Sequence, residues 1–406
     1  MTRDTADTEV VECLGDAEAY VAMICFKHGP PRLVGVELEW TVHHSDRHDR
    51  PLDPAHLAQA LGRHAPATVA PRGSHAPLPH GSQVTVEPGG QVEISSRPRA
   101  ALASLVEAVD ADIASLDELL APAGLARGET GIDTHREAQR LVDVPRYRAM
   151  QAYFDRIGPW GSSMMCSTAS TQVCVDAGEA GDVHRRWLAL HTVGPVLVAL
   201  FANSPVVAGR VTGWASNRLR ATLSTCPPFT QPVTGREDPV EAWVRTAMTA
   251  PVLCVRRAGD RWESPPMSFA EWVGGANGSR PTYGDLEYHL TTLFPPVRPR
   301  GYVEVRYLDA QPAGCWHHPL VLLCALLSSP AAVDRCIELT EHCADLWLTA
   351  ARDGLRDTTL AAAARAVVEL GGSHVDRLGL PMDVGESVLV ALDRRTSSDM
   401  ARRLPV

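Results

Sequence analysis

The sequence predicts an α+β protein built on a curved, mainly antiparallel sheet with helices covering one side. Three observations carry that expectation. Short runs of alternating apolar and polar residues lie far apart along the chain. Polar turns flank them, in place of the regular strand–helix alternation of a doubly wound fold. From about residue 318 to the C-terminus, helical patterns dominate. The 406 residues read as one large domain spanning 1–406, with a strand-rich core at about 30–312 and a helical part at about 318–406.

Taken in order, "DAEAYVAMICF" reads as a helix that "KHGPP" breaks. The first strand follows at 33–42 and contains "RLVGVELEW". There Val34, Val36, Leu38 and Trp40 share one face, and Glu37 and Glu39 share the other, with side chains roughly 7 Å apart along the chain. Residues 43–82 are rich in His, Pro, Arg and Gly, with a short helix at "DPAHLAQALGRH". The seven histidines of this segment (His43, His44, His48, His56, His64, His75 and His80) read as surface loop rather than a helical zinc site. "VTVEPGGQVEISS" gives two strands bent at Pro88-Gly89-Gly90. An amphipathic helix, "RAALASLVEAVDADIASLDELLAPAG", is closed by Pro and Gly. A strand at 171–176, one helix over 182–202 and a strand in "GYVEVRYLD" precede the C-terminal helices.

Composition narrows the function. Hydrophobic content of 45% and charged content of 21% describe a globular protein. A net charge of −10 argues against nucleic acid or an anionic membrane as partner. The N-terminal residues lack a signal-peptide pattern, and no apolar run reaches the ~18 residues of a membrane span, so a cytoplasmic protein is expected. Ten cysteines without a C-x-x-C pair read as reduced, buried small residues. Lys27 is the single lysine against 37 arginines, which excludes a P-loop. Bound phosphate must be held by arginine, divalent metal and backbone N–H groups.

The alternating runs share an unusual polar face. Glu37 and Glu39 have counterparts in Gln91, Glu93 and Ser95, with Glu87 just before the Gly-Gly bend. Gln172 alternates with Val173, and Glu304 and Arg306 alternate with Val303, Val305 and Tyr307. Any one run could be a half-exposed strand. Together they offer carboxylate and amide oxygens that would repel severely without cations. Mg²⁺, at roughly 2.1 Å from its oxygen ligands, suits such a set together with water and substrate phosphates. A carboxylate–Mg²⁺ cradle with arginines fits phosphoryl transfer from ATP.

The motifs "VGVELEW", "EPGGQVEIS", "MMCSTASTQVCVD", "ANSP", "SNRLR" and "GYVEVRYLDAQP" stand in the order seen in glutamate–cysteine ligases of the plant and proteobacterial type. The chain most resembles the actinobacterial branch that makes γ-glutamylcysteine for ergothioneine biosynthesis. The resemblance spans residues 32–312 and implies a glutamine synthetase-like catalytic fold whose concave sheet face holds ATP and metal; Mg²⁺ is expected there, and replacement by Mn²⁺ stays open. It also implies that L-glutamate is activated as γ-glutamyl phosphate and then captured by the amine of L-cysteine. By motif, Glu37, Glu39, Glu87, Glu93 and Glu304 resemble the metal carboxylates. Gln172 stands where some relatives have a histidine ligand. Arg306 would contact the transferred phosphoryl group, with Glu304 beside it in the catalytic set. Arg218 would pair with the α-carboxylate of glutamate, with Arg220 the near alternative, and Met164 and Met165 would line the glutamate pocket. Cys174 departs from the asparagine common in the plant form. Two other readings stay open at this point: a carboxylate–amine ligase with a different acceptor, and a non-catalytic nucleotide- or metal-binding homologue.

Overall fold

The computed structural model describes residues 6–233, 237–257 and 259–397. Among these, ten strands form: β1 Val34–Trp40, β2 Val42–His44, β3 Gln83–Val86, β4 Val92–Ser95, β5 Leu125–Arg127, β6 Ser170–Val175, β7 Val206–Val207, β8 Arg210–Val211, β9 Val297–Pro299 and β10 Val303–Asp309. Six of them make one sheet in the order β3-β4-β1-β6-β10-β9, with every neighbouring pair antiparallel. The remaining four form two small ribbons, β2 with β5 and β7 with β8.

Register decides what the sheet presents. Glu37 lies opposite Gln172 of β6 on one side and Ser95 of β4 on the other, and Glu39 lies opposite Glu93. Because side chains alternate with period two, this alignment sends the acidic set to one face and Val36, Leu38, Ile94, Val173 and Val305 to the other. Those apolar residues are buried. At about 1.5–3 kcal/mol per large aliphatic side chain removed from water, they fix the register against a one-residue slip. Helix Leu102–Leu120 packs against β1, and helix Gly194–Phe201 packs against β10.

β10 carries a bulge. Its pairing with β6 shifts between Val305 and Leu308, so that Arg306 and Tyr307 together oppose Gln172. Tyr307 is driven into the helical layer, where its hydroxyl donates to Leu190 O at 3.2 Å and its ring meets Trp347 edge-on. Arg306 stays on the acidic face. Both point as the strand's own alternation dictates, and the irregularity falls beside the site, where bulges are common.

Two expectations need correction. The helix expected over 182–202 is two helices, Val183–Thr192 and Gly194–Phe201. Pro195 has no N–H to continue the first, and a Cβ on Gly194 would lie 2.1 Å from Trp347 Cη2, so the break is also where another helix comes close. The histidine-rich segment is only partly surface loop. His43 and His44 are buried in β2, and buried His64 meets Ala76 O through Nδ1 at 2.9 Å. All ten cysteines are free. Among the described residues no single helix is long and apolar enough to cross a membrane.

Candidate active site

The acidic face opens into a cavity of about 310 Å³, within the range of small-molecule sites. Glu37, Glu39, Glu87, Glu93, Gln172, Arg306, Arg218, Met164 and Met165 all line it. Residues scattered over more than 260 positions of sequence thus meet in one space, because the central strands are assembled from distant segments.

The turn before β4 shows how tightly one motif is built. A Cβ on Gly89 would fall 1.9 Å from Cys166 O, so only glycine admits this approach to helix Trp160–Ser167. Gly90 has φ +84, a left-handed conformation that side chains disfavour. Gln91 then staples the turn. Its Oε1 accepts from Gly89 N at 2.9 Å, while its Nε2 donates to Thr168 O at 3.0 Å. Gln91 is therefore a brace rather than a ligand, and it holds Glu87 beside Met164 and Met165.

The four clustered glutamates differ in environment. Glu39 Oε2 accepts from the backbone N–H and the hydroxyl of Ser170, each at 2.8 Å, and its Oε1 accepts from Gln172 Nε2 at 3.0 Å. Glu93 accepts from Thr85 Oγ1 at 2.7 Å. Burial, then the charges of Glu37, Glu39 and Glu87, push the Glu93 carboxyl well above its ordinary range. Burial and Glu304 raise Glu37. Burial, then Glu39, push Glu87 up to about 7. Burial and like charge together outweigh the nearby arginines, Arg306 among them, which is the electrostatic signature of crowded, buried anionic groups. Among the described residues no three His, Cys, Asp or Glu side chains form a ready-made metal cage. The donor set fits a hard cation that completes its shell with water and phosphate oxygens, as Mg²⁺ does.

Glu304 is in a different situation. It is 0% exposed and accepts from Arg298 Nε at 2.7 Å, Arg300 at 3.0 Å, Tyr302 Oη at 3.2 Å and Arg306 at 3.3 Å. Burial opposes its ionisation, but Arg298, Arg306 and Arg300 outweigh burial and hold the carboxyl down at about 2. Its oxygens are engaged by protein donors, so here it organises arginines rather than standing with the four crowded carboxylates. Arg306 also donates to Gln172 Oε1. Burial disfavours its charge, but Glu304, Glu37, Glu39 and Glu93 keep its pKa above the ordinary value.

Arg218 and Arg220 separate cleanly. Arg218 is buried, donates through Nη2 to Arg306 O, and leaves Nη1 with no hydrogen-bond partner at the cavity wall. A buried unpaired guanidinium nitrogen is costly unless an anion meets it. Arg220, two residues on along helix Asn217–Thr225, is stacked between Trp160 and Trp214, 4.6 and 4.4 Å from their ring centroids, and does not line the cavity.

Several residues around the site were not anticipated from sequence; of these Arg298, Arg300 and Arg146 line the cavity. Arg298, Arg300 and Tyr302 continue, two by two, the alternation that ends in Glu304 and Arg306, so extending the period upstream would have found them. Arg146 gave no signal. It reaches the cavity from helix Pro145–Ile157, donates to Thr291 Oγ1 at 3.0 Å and lies over the Tyr288 ring. Asp309 is fully enclosed and accepts from Asn203 N, Ser204 Oγ and Ser216 Oγ at 2.7–2.8 Å. It joins the "ANSP", "SNRLR" and "YLD" segments beside Arg218.

The chain is similar to known proteins over nearly its whole length. Glutamate-cysteine ligase family 2 (GCS2) matches residues 33–391. Glutamate–cysteine ligase EgtA of Mycolicibacterium smegmatis is 38% identical over 334 residues, covering 80% of this chain and 78% of that one. The EgtA of Mycobacterium tuberculosis is 37% identical over 404 residues, covering 93% and 90%. A crystal structure of a glutamate–cysteine ligase from Francisella tularensis in complex with AMP superposes with a TM-score of 0.51 at 13% identity, covering 93% of this chain and 84% of that one. At that identity it is the fold that is shared, the mainly antiparallel sheet with its helices. With a match across most of the chain and relatives at this identity, the protein belongs to glutamate–cysteine ligase family 2.

Proposed function

We propose that the protein joins the γ-carboxylate of L-glutamate to the amine of L-cysteine at the expense of ATP, with Mg²⁺, and supplies γ-glutamylcysteine to ergothioneine biosynthesis in the cytoplasm. The observation that carries this reading is the cavity in which Glu37, Glu39, Glu87 and Glu93 face Arg306 and the unpaired Nη1 of Arg218. Bound Mg²⁺ supplies neutralisation of phosphate charge during transfer.

Arg218 holds the α-carboxylate of glutamate, with Met164 and Met165 packing along the substrate. A γ-carboxylate oxygen attacks the γ-phosphorus as the bond to the ADP oxygen breaks. The products are γ-glutamyl phosphate and ADP. Arg306, kept charged by the surrounding carboxylates, stabilises the oxygens of the group in flight. The cysteine nitrogen then attacks the acyl carbon, the bond to phosphate breaks, and the amine proton is lost as the amide forms. Gln172 orients Arg306 and Glu39 together, since its amide binds both.

Incubation of the protein with ATP, Mg²⁺ and glutamate, with the acceptor varied, tests the reading through ADP and phosphate release. Turnover with cysteine well above alanine and 2-aminobutyrate is expected. Equal turnover with all three would remove the cysteine assignment, and no glutamate-dependent ADP would remove the ligase itself.

A further inference from the structure

The C-terminal helix Met382–Thr396 reaches back toward the catalytic sheet through one side chain. Arg395 donates from Nη1 to Gln311 Oε1 at 2.9 Å and to Leu200 O at 3.3 Å, with its guanidinium over the Phe201 ring. Gln311 is buried, two residues beyond the end of β10. Its Nε2 donates to Phe201 O at 2.8 Å and to Asp309 O at 2.9 Å. The carboxylate of Asp309 in turn gathers Asn203, Ser204 and Ser216. Ser204 Oγ accepts from the backbone N–H of Arg218 at 3.2 Å, and Ser216 caps the helix that carries Arg218.

Arg395 has no carboxylate partner among the described residues, and burial pulls its pKa down. Among those residues it is also the sole donor to the buried Gln311 Oε1. A guanidinium placed in a poor electrostatic position to satisfy one amide is unlike a surface ion pair, which contributes little. Its effect runs through Gln311 into the end of β10 and the 201–204 turn, both of which hold the Arg218 backbone.

We infer that Arg395 is a positioning residue for the substrate carboxylate: through Gln311 and Asp309 it sets the aim of Arg218. This rests on the ligase reading, in which Arg218 meets glutamate. The C-terminal helix thereby acts on the affinity for the amino acid while leaving the ATP end of the cavity untouched.

Steady-state kinetics on the full chain, with glutamate and ATP varied in turn, test this. Arg395→Met is expected to raise the glutamate KM about 3- to 30-fold, the span of coupling seen along packed networks. The ATP KM and kcat should stay within about twofold. Gln311→Leu should reproduce the shift, and adding Arg395→Met to it should bring no further factor. Arg395→Lys retains a donor and should recover part of the loss, and it also serves if the Met variant does not fold. An unchanged glutamate KM, equal rises for both substrates, or independent effects in the double variant would each overturn the role. Equilibrium dialysis with glutamate reads the same loss without turnover. A wild-type protein that binds glutamate but forms no ADP removes the ligase reading alone, whereas one that binds none removes both.

Discussion

Glu87→Gln isolates the electrostatic cost on which the site depends. Burial first, and then the neighbouring Glu39 carboxylate, raise the Glu87 carboxyl from 4.5 to about 7. A carboxyl whose folded pKa lies above its unfolded value contributes stability that is complete below pH 4.5 and lost as pH rises through 7. A shift of about 2.5 units corresponds to about 3 kcal/mol lost by pH 8. With an unfolding entropy of about 2.1 cal/mol/K per residue over 406 residues, that loss is about 4 °C in Tm. Glutamine keeps the shape and removes the charge. In EDTA the variant should therefore melt about 4 °C above wild type at pH 8 and level with it near pH 4.5. Excess Mg²⁺ should raise wild type more than the variant, and more at pH 8 than at pH 6. Scanning calorimetry across that pH range reads both effects. A wild type as stable as the variant in EDTA at pH 8, or a gain from Mg²⁺ that ignores pH, would refute the argument that cations relieve this crowding.

Three further outcomes follow from the same geometry. Glu93→Gln should lower turnover by on the order of 10²-fold while stabilising the metal-free protein at alkaline pH, since it removes a candidate ligand and a carboxyl whose ionisation burial and its neighbours oppose; activity near wild type would remove Glu93 from the metal set. Arg218→Ala should raise the glutamate KM about 10- to 100-fold, the loss of a charge-assisted hydrogen bond of about 1.5–3 kcal/mol, with the ATP KM unaffected; an unmoved glutamate KM would place the α-carboxylate elsewhere. Gly89→Ala should abolish activity and lower Tm, because its Cβ would collide with the Cys166 carbonyl rather than with a movable side chain; a fully active variant would show that the turn relaxes freely.

Local alternation made the central strands legible. Glu37, Glu39, Glu93 and Gln172 were readable as one face because a strand's period of two needs no partner to define it. The bend at Pro88-Gly89-Gly90 was equally plain, since glycine and proline announce their backbone limits. The roles of Glu304 and Gln91 were not legible in the same way. Both lie on the expected face, but the arginines gather around the first only once the β9–β10 hairpin pairs Arg298 with Glu304, and the carbonyl acceptors of the second come from another segment. Arg218 and Arg220 were indistinguishable as neighbours in "SNRLR". Only packing turned one toward the cavity and stacked the other between Trp160 and Trp214.

The sequence by itself determined which residues are acidic, apolar or conformationally special, and hence the strands, the turn and the kind of chemistry. Tertiary structure alone decided which charges face which. Pairing register, the β10 bulge and the contact between Arg395 and Gln311 depend on segments far apart in the chain. An isolated carboxylate has one intrinsic pKa, but its burial and neighbours exist only after folding. That is why Glu87 is driven up to about 7 at the cavity while Glu304, enclosed by arginines, is held down at about 2.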